Sequence, residues 1–309
     1  MANDFLAIAD LLADALDLSG AELSEIREAS PVLDRLPAIS SSNGDTHKYT
    51  VNTQHPVVGF RAENSGRDFD HSIHRIDTVT LKILDYSFMV DKAVADRWRQ
   101  GGAEALIARE GMMHLKSAMY QLENQFINGT VSGNAAGFAG LKDSSFLDAV
   151  ADEMVIDKGG VAVGAQSSVW LMRVNPSECG MVIQGDGLEW GDTIVQNFVD
   201  GSSQNLPAYY TPACMWSGCQ AGSKYSVARI ANVDATATLN DDDIYGALKL
   251  FPAGFMPNMI VMNQTVLEQL RASRTATNVT GAPAPLPTEV AGIPIVTSDA
   301  VKQTDAVLS

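Results

Sequence analysis

Three cysteines in 309 residues, Cys179, Cys214 and Cys219, are too few and too odd in number for a disulfide framework, so buried free thiols are the expectation. No apolar run approaches the length that crosses a bilayer, and Met1-Ala2-Asn3-Asp4 brings none of the basic residues that precede a secretory segment. A soluble protein made in the cytosol, with no membrane partner, is expected. Basic residues are scarce, 21 Lys and Arg against 37 Asp and Glu, and they nowhere cluster. Phosphate binding needs such clusters, which argues against a chain wrapped directly on nucleic acid. Motifs of chemistry are missing as well: there is no HExxH, P-loop or EF-hand spacing. Four of the five histidines fall between 47 and 74, and His114 alone sits on a helical pattern. His71 and His74, three apart on a polar segment, read as solvated residues before metal ligands. Cys214 and Cys219 lack the second pair a zinc site needs. Gly185-Asp186-Gly187 lacks the third glycine of a dinucleotide loop, because Trp190 holds its place. The expectation is a protein without catalytic, cofactor-binding or metal residues.

What is present is a chain 46% hydrophobic and 19% charged, long enough to bury a core as one large domain or two. Its most informative stretch runs from Lys48 to Gly140. Apolar and polar residues alternate at Tyr49, Val51 and Thr53, and again at Val79, Leu81 and Ile83, predicting two half-buried strands. Between them some twenty residues, 54–74, mix Arg61, Glu63, Arg67, Asp68 and Asp70 with scattered apolar residues. A coreless connection of that length marks a functional arm or disorder, and Phe60 and Phe69 favour the arm, since disordered linkers are poor in aromatics. The segment therefore reads as a hairpin that packs on another chain, with Phe60, Arg61, Glu63, Arg67, Asp68, Phe69 and Arg75 as its contact residues. By composition alone the charged members fit an ordinary solvated face better, and their place on a coreless arm brings the contact reading level with it.

Ala108, Met112, Leu115, Met119, Leu122 and Phe126 recur at spacings of four and three, predicting a helix over 103–128 with Arg109, Glu110, Lys116 and Glu123 on its other faces. Asn128-Gly129 is expected to end it through left-handed backbone angles. An acidic amphipathic helix is expected at 4–18 and a short one at 22–29, both lying along a neighbour. Past Gly140 the pattern shifts to short strands, expected at 161–163, 168–174 and 181–183, with sheet and loops over 191–230. Asn240 or Asp241 caps a helix that carries Ile244 and Leu248, and Asp242 and Asp243 suit its first turn. A strand at 259–262, a helix at 265–272 and an irregular loop at 275–287, broken by Pro283, Pro285 and Pro287, follow.

Phe60-Arg61-Ala62-Glu63, Ser87-Phe88-Met89-Val90-Asp91, Ile127-Asn128-Gly129-Thr130, Gly137-Phe138-Ala139-Gly140-Leu141, Asn258-Met259-Ile260-Val261-Met262-Asn263 and Ala291-Gly292-Ile293-Pro294-Ile295-Val296 stand in an order that resembles the major capsid proteins of tailed bacteriophages. The resemblance implies an α+β protein of the Hong Kong-type capsid fold, also used by encapsulin shells. It implies an N-terminal arm (1–45), an extended β-hairpin loop (46–84), a mainly peripheral domain with a long spine helix (85–230), and a mainly axial domain (231–309). In many relatives further peripheral strands follow the last motif, whereas here strands between 167 and 230 are expected to take their place. The implied function is a self-assembling subunit: hexamers and pentamers of an icosahedral virion shell, built in the bacterial cytoplasm. That shell would enclose double-stranded DNA without sequence-specific binding, in company with portal, scaffold or decoration proteins. The nearest alternative is an encapsulin-type nanocompartment, and a more distant one is an unrecognised hydrolase. Some relatives join a loop lysine to a neighbour's asparagine; between Lys48 and Lys82 this chain has no lysine, so noncovalent contacts alone are expected.

Overall fold

The computed structural model describes residues 20–147, 149–185, 187–199, 201–278 and 282–308. The helix expected at 4–18 lies outside them. The helices are α1 (Gly20–Ala29), α2 (Lys92–Ala95), α3 (Gly102–Asn128), α4 (Asp241–Leu248) and α5 (Gln264–Ala276). Strands β1 (Ala38–Ser40), β2 (Thr46–Gln54), β3 (Ile73–Thr80), β4 (Lys82–Asp85) and β5 (Phe88–Asp91) precede α3. Then come β6 (Val155–Asp157), β7 (Ser167–Met172), β8 (Cys179–Ile183), β9 (Glu189–Trp190), β10 (Ile194–Val199), β11 (Asn205–Thr211), β12 (Ala213–Ala221) and β13 (Val227–Val233). The chain closes through β14 (Met259–Met262), β15 (Glu289–Val290) and β16 (Ile293–Thr297).

A six-stranded sheet, ordered β15-β16-β14-β7-β13-β6, holds the centre. Every residue of β7 and β14 is buried, and their alternation splits them between two cores. Trp170, Met172, Met259 and Val261 face a core shared with α3, while Val169, Leu171, Ile260 and Met262 face one shared with α4 and α5. Strands covered on both faces read as continuous apolar runs because each period-2 face meets its own hydrophobic layer. The loop expected to be irregular before β15 begins only after α5, which runs on to Ala276. The strand expected at 161–163 is instead a loop; pairing falls one step earlier, where Val155–Asp157 lies parallel to β13.

Helix α3 presents Leu115, Met119, Leu122 and Phe126 to the first core, as the spacing predicts, with Met112 half-buried and Ala108 exposed. It ends at Gly129, though by a different device from the one expected. Gly129 has an ordinary φ of −62°; what requires glycine is space, since a Cβ there would stand 2.3 Å from the Gln125 carbonyl. The N-terminal segment departs further from expectation. Expected to be too separate to form a core, it contributes Ile26, Val32, Leu33 and Leu36 to the chain's own first core, against α3.

The capped helix is as expected: Asn240 Oδ1 accepts from Asp243 N at 2.9 Å and Asp243 Oδ2 accepts from Asn240 N at 2.9 Å, a reciprocal capping box. A five-stranded sheet (β1-β8-β12-β4, with β9 on β12) and a three-stranded one (β10-β11-β5) fill the region expected to be sheet and loops.

Candidate assembly surface

The ribbon β2–β3 pairs Thr46 with Thr80 and continues outward to Gln54 opposite Ile73. Its base is fixed to the body. Tyr49 Oη donates to the Ala221 carbonyl at 3.1 Å, and burial pushes the phenol up to about 12. Val79 and Leu81 lie over Gly218, where a Cβ would come within 2.7 Å of the valine methyl, so the body is carved to receive the ribbon. Leu81 N donates to the Asp45 carbonyl at 2.8 Å.

Outward of Val51 the ribbon loses its core. Phe60 and Phe69 are 108% and 91% exposed, and Val57, Val58, Ile73 and Ile76 are exposed with them. Of the seven residues expected at the surface of contact, six lie in the connection 55–72 and Arg75 lies within β3. The connection is tied by its own polar groups. Arg67 donates to the carbonyls of Val57 (2.5 Å), Gly59 (3.2 Å) and Asp68 (3.2 Å), and Arg61 to that of Ser65 (3.0 Å). Asp70 accepts from Val57 N at 2.9 Å and His71 N at 2.8 Å; these backbone donors hold its carboxyl below its ordinary range. Glu63 sits in the tight turn at the tip, next to Asn64 at φ +58°. Arg75 pairs with Asp77 at 2.6 Å on its own strand. The guanidinium groups thus shape the loop, and the aromatic rings are what it offers outward. His71 and His74 are exposed, as expected.

Two buried polar centres stabilise the platform that carries this ribbon, and neither is marked by a sequence motif. Glu123, 1% exposed, was expected on a polar face of α3. Its carboxylate accepts from Val32 N (2.9 Å), Leu33 N (3.2 Å) and the Ser298 hydroxyl, joining the N-terminal segment, α3 and the segment after β16. Burial pushes its pKa up against those donors. Lys142 reaches Asp305 at 2.5 Å and Asn128 Oδ1 at 2.6 Å, tying the end of α3 to the last residues; burial lowers its pKa although Asp305 opposes the shift. Cys179 and Cys219 are buried free thiols and Cys214 is partly exposed, hydrogen-bonded to Glu189. Among the described residues no helix is long and apolar enough to cross a membrane.

The fold has known counterparts. A chain of the bacteriophage Epsilon15 structure superposes with a TM-score of 0.67 at 20% identity, covering 88% of this chain and 87% of that one. The capsid protein of bacteriophage JBD30 gives 0.54 at 13% identity over 94% and 98%. A chain of the holo-SrpI encapsulin complex from Synechococcus elongatus gives 0.45 at 13% identity over 75% and 98%, too low to carry an argument. No curated protein sequence matches the chain. The phage likenesses establish the Hong Kong-type capsid fold, and the sequence itself decides the family: the family model for major capsid protein GP7 matches residues 21–309, so this chain belongs to that family of phage shell proteins.

Proposed function

We propose that this chain self-assembles into hexamers and pentamers that close as an icosahedral shell around double-stranded DNA, with the tip of the ribbon β2–β3 as an inter-subunit contact. The observation that carries the reading is the exposure of Phe60 and Phe69 on a ribbon whose base alone is buried. Two bare rings on a loop held in shape by Arg61 and Arg67 suit docking on another copy, because the loop's ordering cost is already met by its own hydrogen bonds. Phe60, Arg61, Glu63, Arg67, Asp68, Phe69 and Arg75 are the residues assigned to that contact. The formal charge of −16 suits an enclosing wall, which repels the packaged polyanion and does not trap it.

In this reading residues 1–45 form the arm, 46–84 the extended loop, 85–230 mainly the peripheral domain and 231–309 mainly the axial domain. The role is structural, without catalysis; portal, scaffold or decoration proteins are its further partners, and the host cytoplasm is where it assembles. Negative-stain microscopy of the purified chain tests this directly. Closed shells or isolated capsomers are expected; a monodisperse monomer at high concentration in assembly buffer overturns the reading.

A further inference from the structure

The loop between β6 and β7 exposes Val161 and Val163 by 77% and 89%, and it is not a loose loop. Gln166, 1% exposed, donates its amide to the Ala162 carbonyl (2.9 Å) and to Asp234 Oδ2 (3.0 Å), and Asp234 Oδ2 also accepts from Ala162 N (3.3 Å). Hydrogen bonds from Ala237, Thr236 and Gln166 hold the Asp234 carboxyl well below its ordinary range, so the hub stays ionised. Gly160 N donates to the Asn232 carbonyl at 3.0 Å, and a Cβ on Gly160 would fall within 2.7 Å of three oxygens. A buried carboxylate, a buried amide and a glycine fitted between them hold two valines out in water. Exposed loop tips are ordinarily polar and mobile, so a rigid apolar tip points to a partner.

A second apolar spot lies at the other end of the same sheet. Strand β7 runs from Ser167, beside this loop, to Met172, about 17 Å away for five extended steps. There Asn258 N donates to the Met172 carbonyl, and Asn258 exchanges two further hydrogen bonds with Val174. This pins the turn that exposes Phe255 and Met256 by 45% and 50%. Arg173, paired with Glu178 at 2.9 Å, lies 4.6 Å from the Phe255 ring centroid and braces it. Neither spot presents a net charge: residues 159–166 and 252–258 contain no Asp, Glu, Lys or Arg, and the guanidinium of Arg173 beside Phe255 is neutralised by Glu178. Copies that each carry −16 repel at long range and meet best where neither presents a charge.

We infer that Val161 and Val163 of one copy dock on Phe255 and Met256 of the next, a head-to-tail contact between two different patches. Such heterologous contacts propagate into rings when the rotation closes, as a hexamer or pentamer requires. The inference rests on the shell reading above and specifies a contact separate from the ribbon.

The experiment uses the full chain in a Cys214→Ser background, since Cys179 and Cys219 are buried. Val163→Cys and Met256→Cys are introduced together, particles are assembled, and mild oxidation is followed by a non-reducing gel. A ladder of linked subunits up to the ring size is expected, absent with either cysteine alone. As a second readout, Val161→Asp with Val163→Asp buries unpaired charge at every contact and lowers particle yield about ten-fold or more, with an unchanged thermal transition. Closed shells without the ladder overturn the head-to-tail contact and leave the shell reading standing. A background chain that forms no shells removes both.

Discussion

Helix α3 buries Leu115, Met119, Leu122 and Phe126 within its own chain, whereas the ribbon β2–β3 buries Val51 at its base and leaves Phe60, Phe69, Ile73 and Ile76 in water. Both regions are rich in apolar residues, at the helical period in α3 and scattered over β3 and the connection 55–72 in the ribbon. The first set is covered by its own chain and the second is not. Mutations in α3 and its core should therefore register in the stability of the isolated subunit, and mutations in the ribbon tip should register in assembly.

The largest effect expected on the isolated subunit is at the core side. Trp170→Ala removes a fully buried side chain that faces α3 across β7 and should cost about 3–5 kcal/mol of unfolding free energy, read by urea denaturation. A loss below about 1 kcal/mol would show that the two-core sheet is not the stabilising centre.

Glu123→Ala comes next, at about 1–3 kcal/mol net, because it leaves the Val32 and Leu33 amides and the Ser298 hydroxyl without their acceptor while also removing a carboxylate that burial disfavours. The same residue predicts a pH effect. Its folded pKa lies above the unfolded one, so the folded state holds the proton more tightly; this stability is full below the unfolded carboxylate pKa and is lost as pH rises through the raised value. Asp299 adds to the upward shift. Glu123→Gln should flatten that part of the stability-pH curve, and an identical slope in both proteins would place the titration elsewhere.

The ribbon should behave in the opposite way. Phe60→Ser with Phe69→Ser should leave subunit stability within about 0.5 kcal/mol, as for exposed substitutions generally, while abolishing closed particles. Loss of the folded subunit itself would erase the distinction between the two regions. Amides of residues 55–72 should be more protected in shells than in free subunits, and equal protection in both states would mean that the tip is not a contact. The smallest effect concerns covalent linkage: boiled, reduced particles should run as a single monomer band, because the ribbon tip carries arginine and no lysine. A ladder would show chemistry at another site.

Legibility in the sequence followed locality. The α3 stripe, a helix cap at Asn240 or Asp241, β14 and the coreless connection were all readable, because each rests on side chains a few residues apart. Glu123 was misplaced on a polar face for the same reason. Its partners at 32, 33 and 298 are distant in sequence, and a glutamate in a helical pattern carries no local sign that its carboxylate will be buried. The N-terminal helix α1 was expected to lie along a neighbour, and only the position of α3 shows where Ile26 and Leu36 go. Val161 and Val163 read as a strand because alternation is a strand signal; the hub of Gln166 and Asp234, sixty-eight residues apart, holds them as a loop instead.

By itself the sequence determined the helix and strand periods, the acidic charge and the uncovered aromatic residues of the ribbon, since these depend on composition and short-range spacing. The tertiary structure decided which apolar faces are covered by the chain itself, which carboxylate is buried, and that two uncharged apolar spots stand at opposite ends of one sheet. Those outcomes depend on contacts between segments far apart in the chain, and burial is a property of the packed whole that no local pattern encodes.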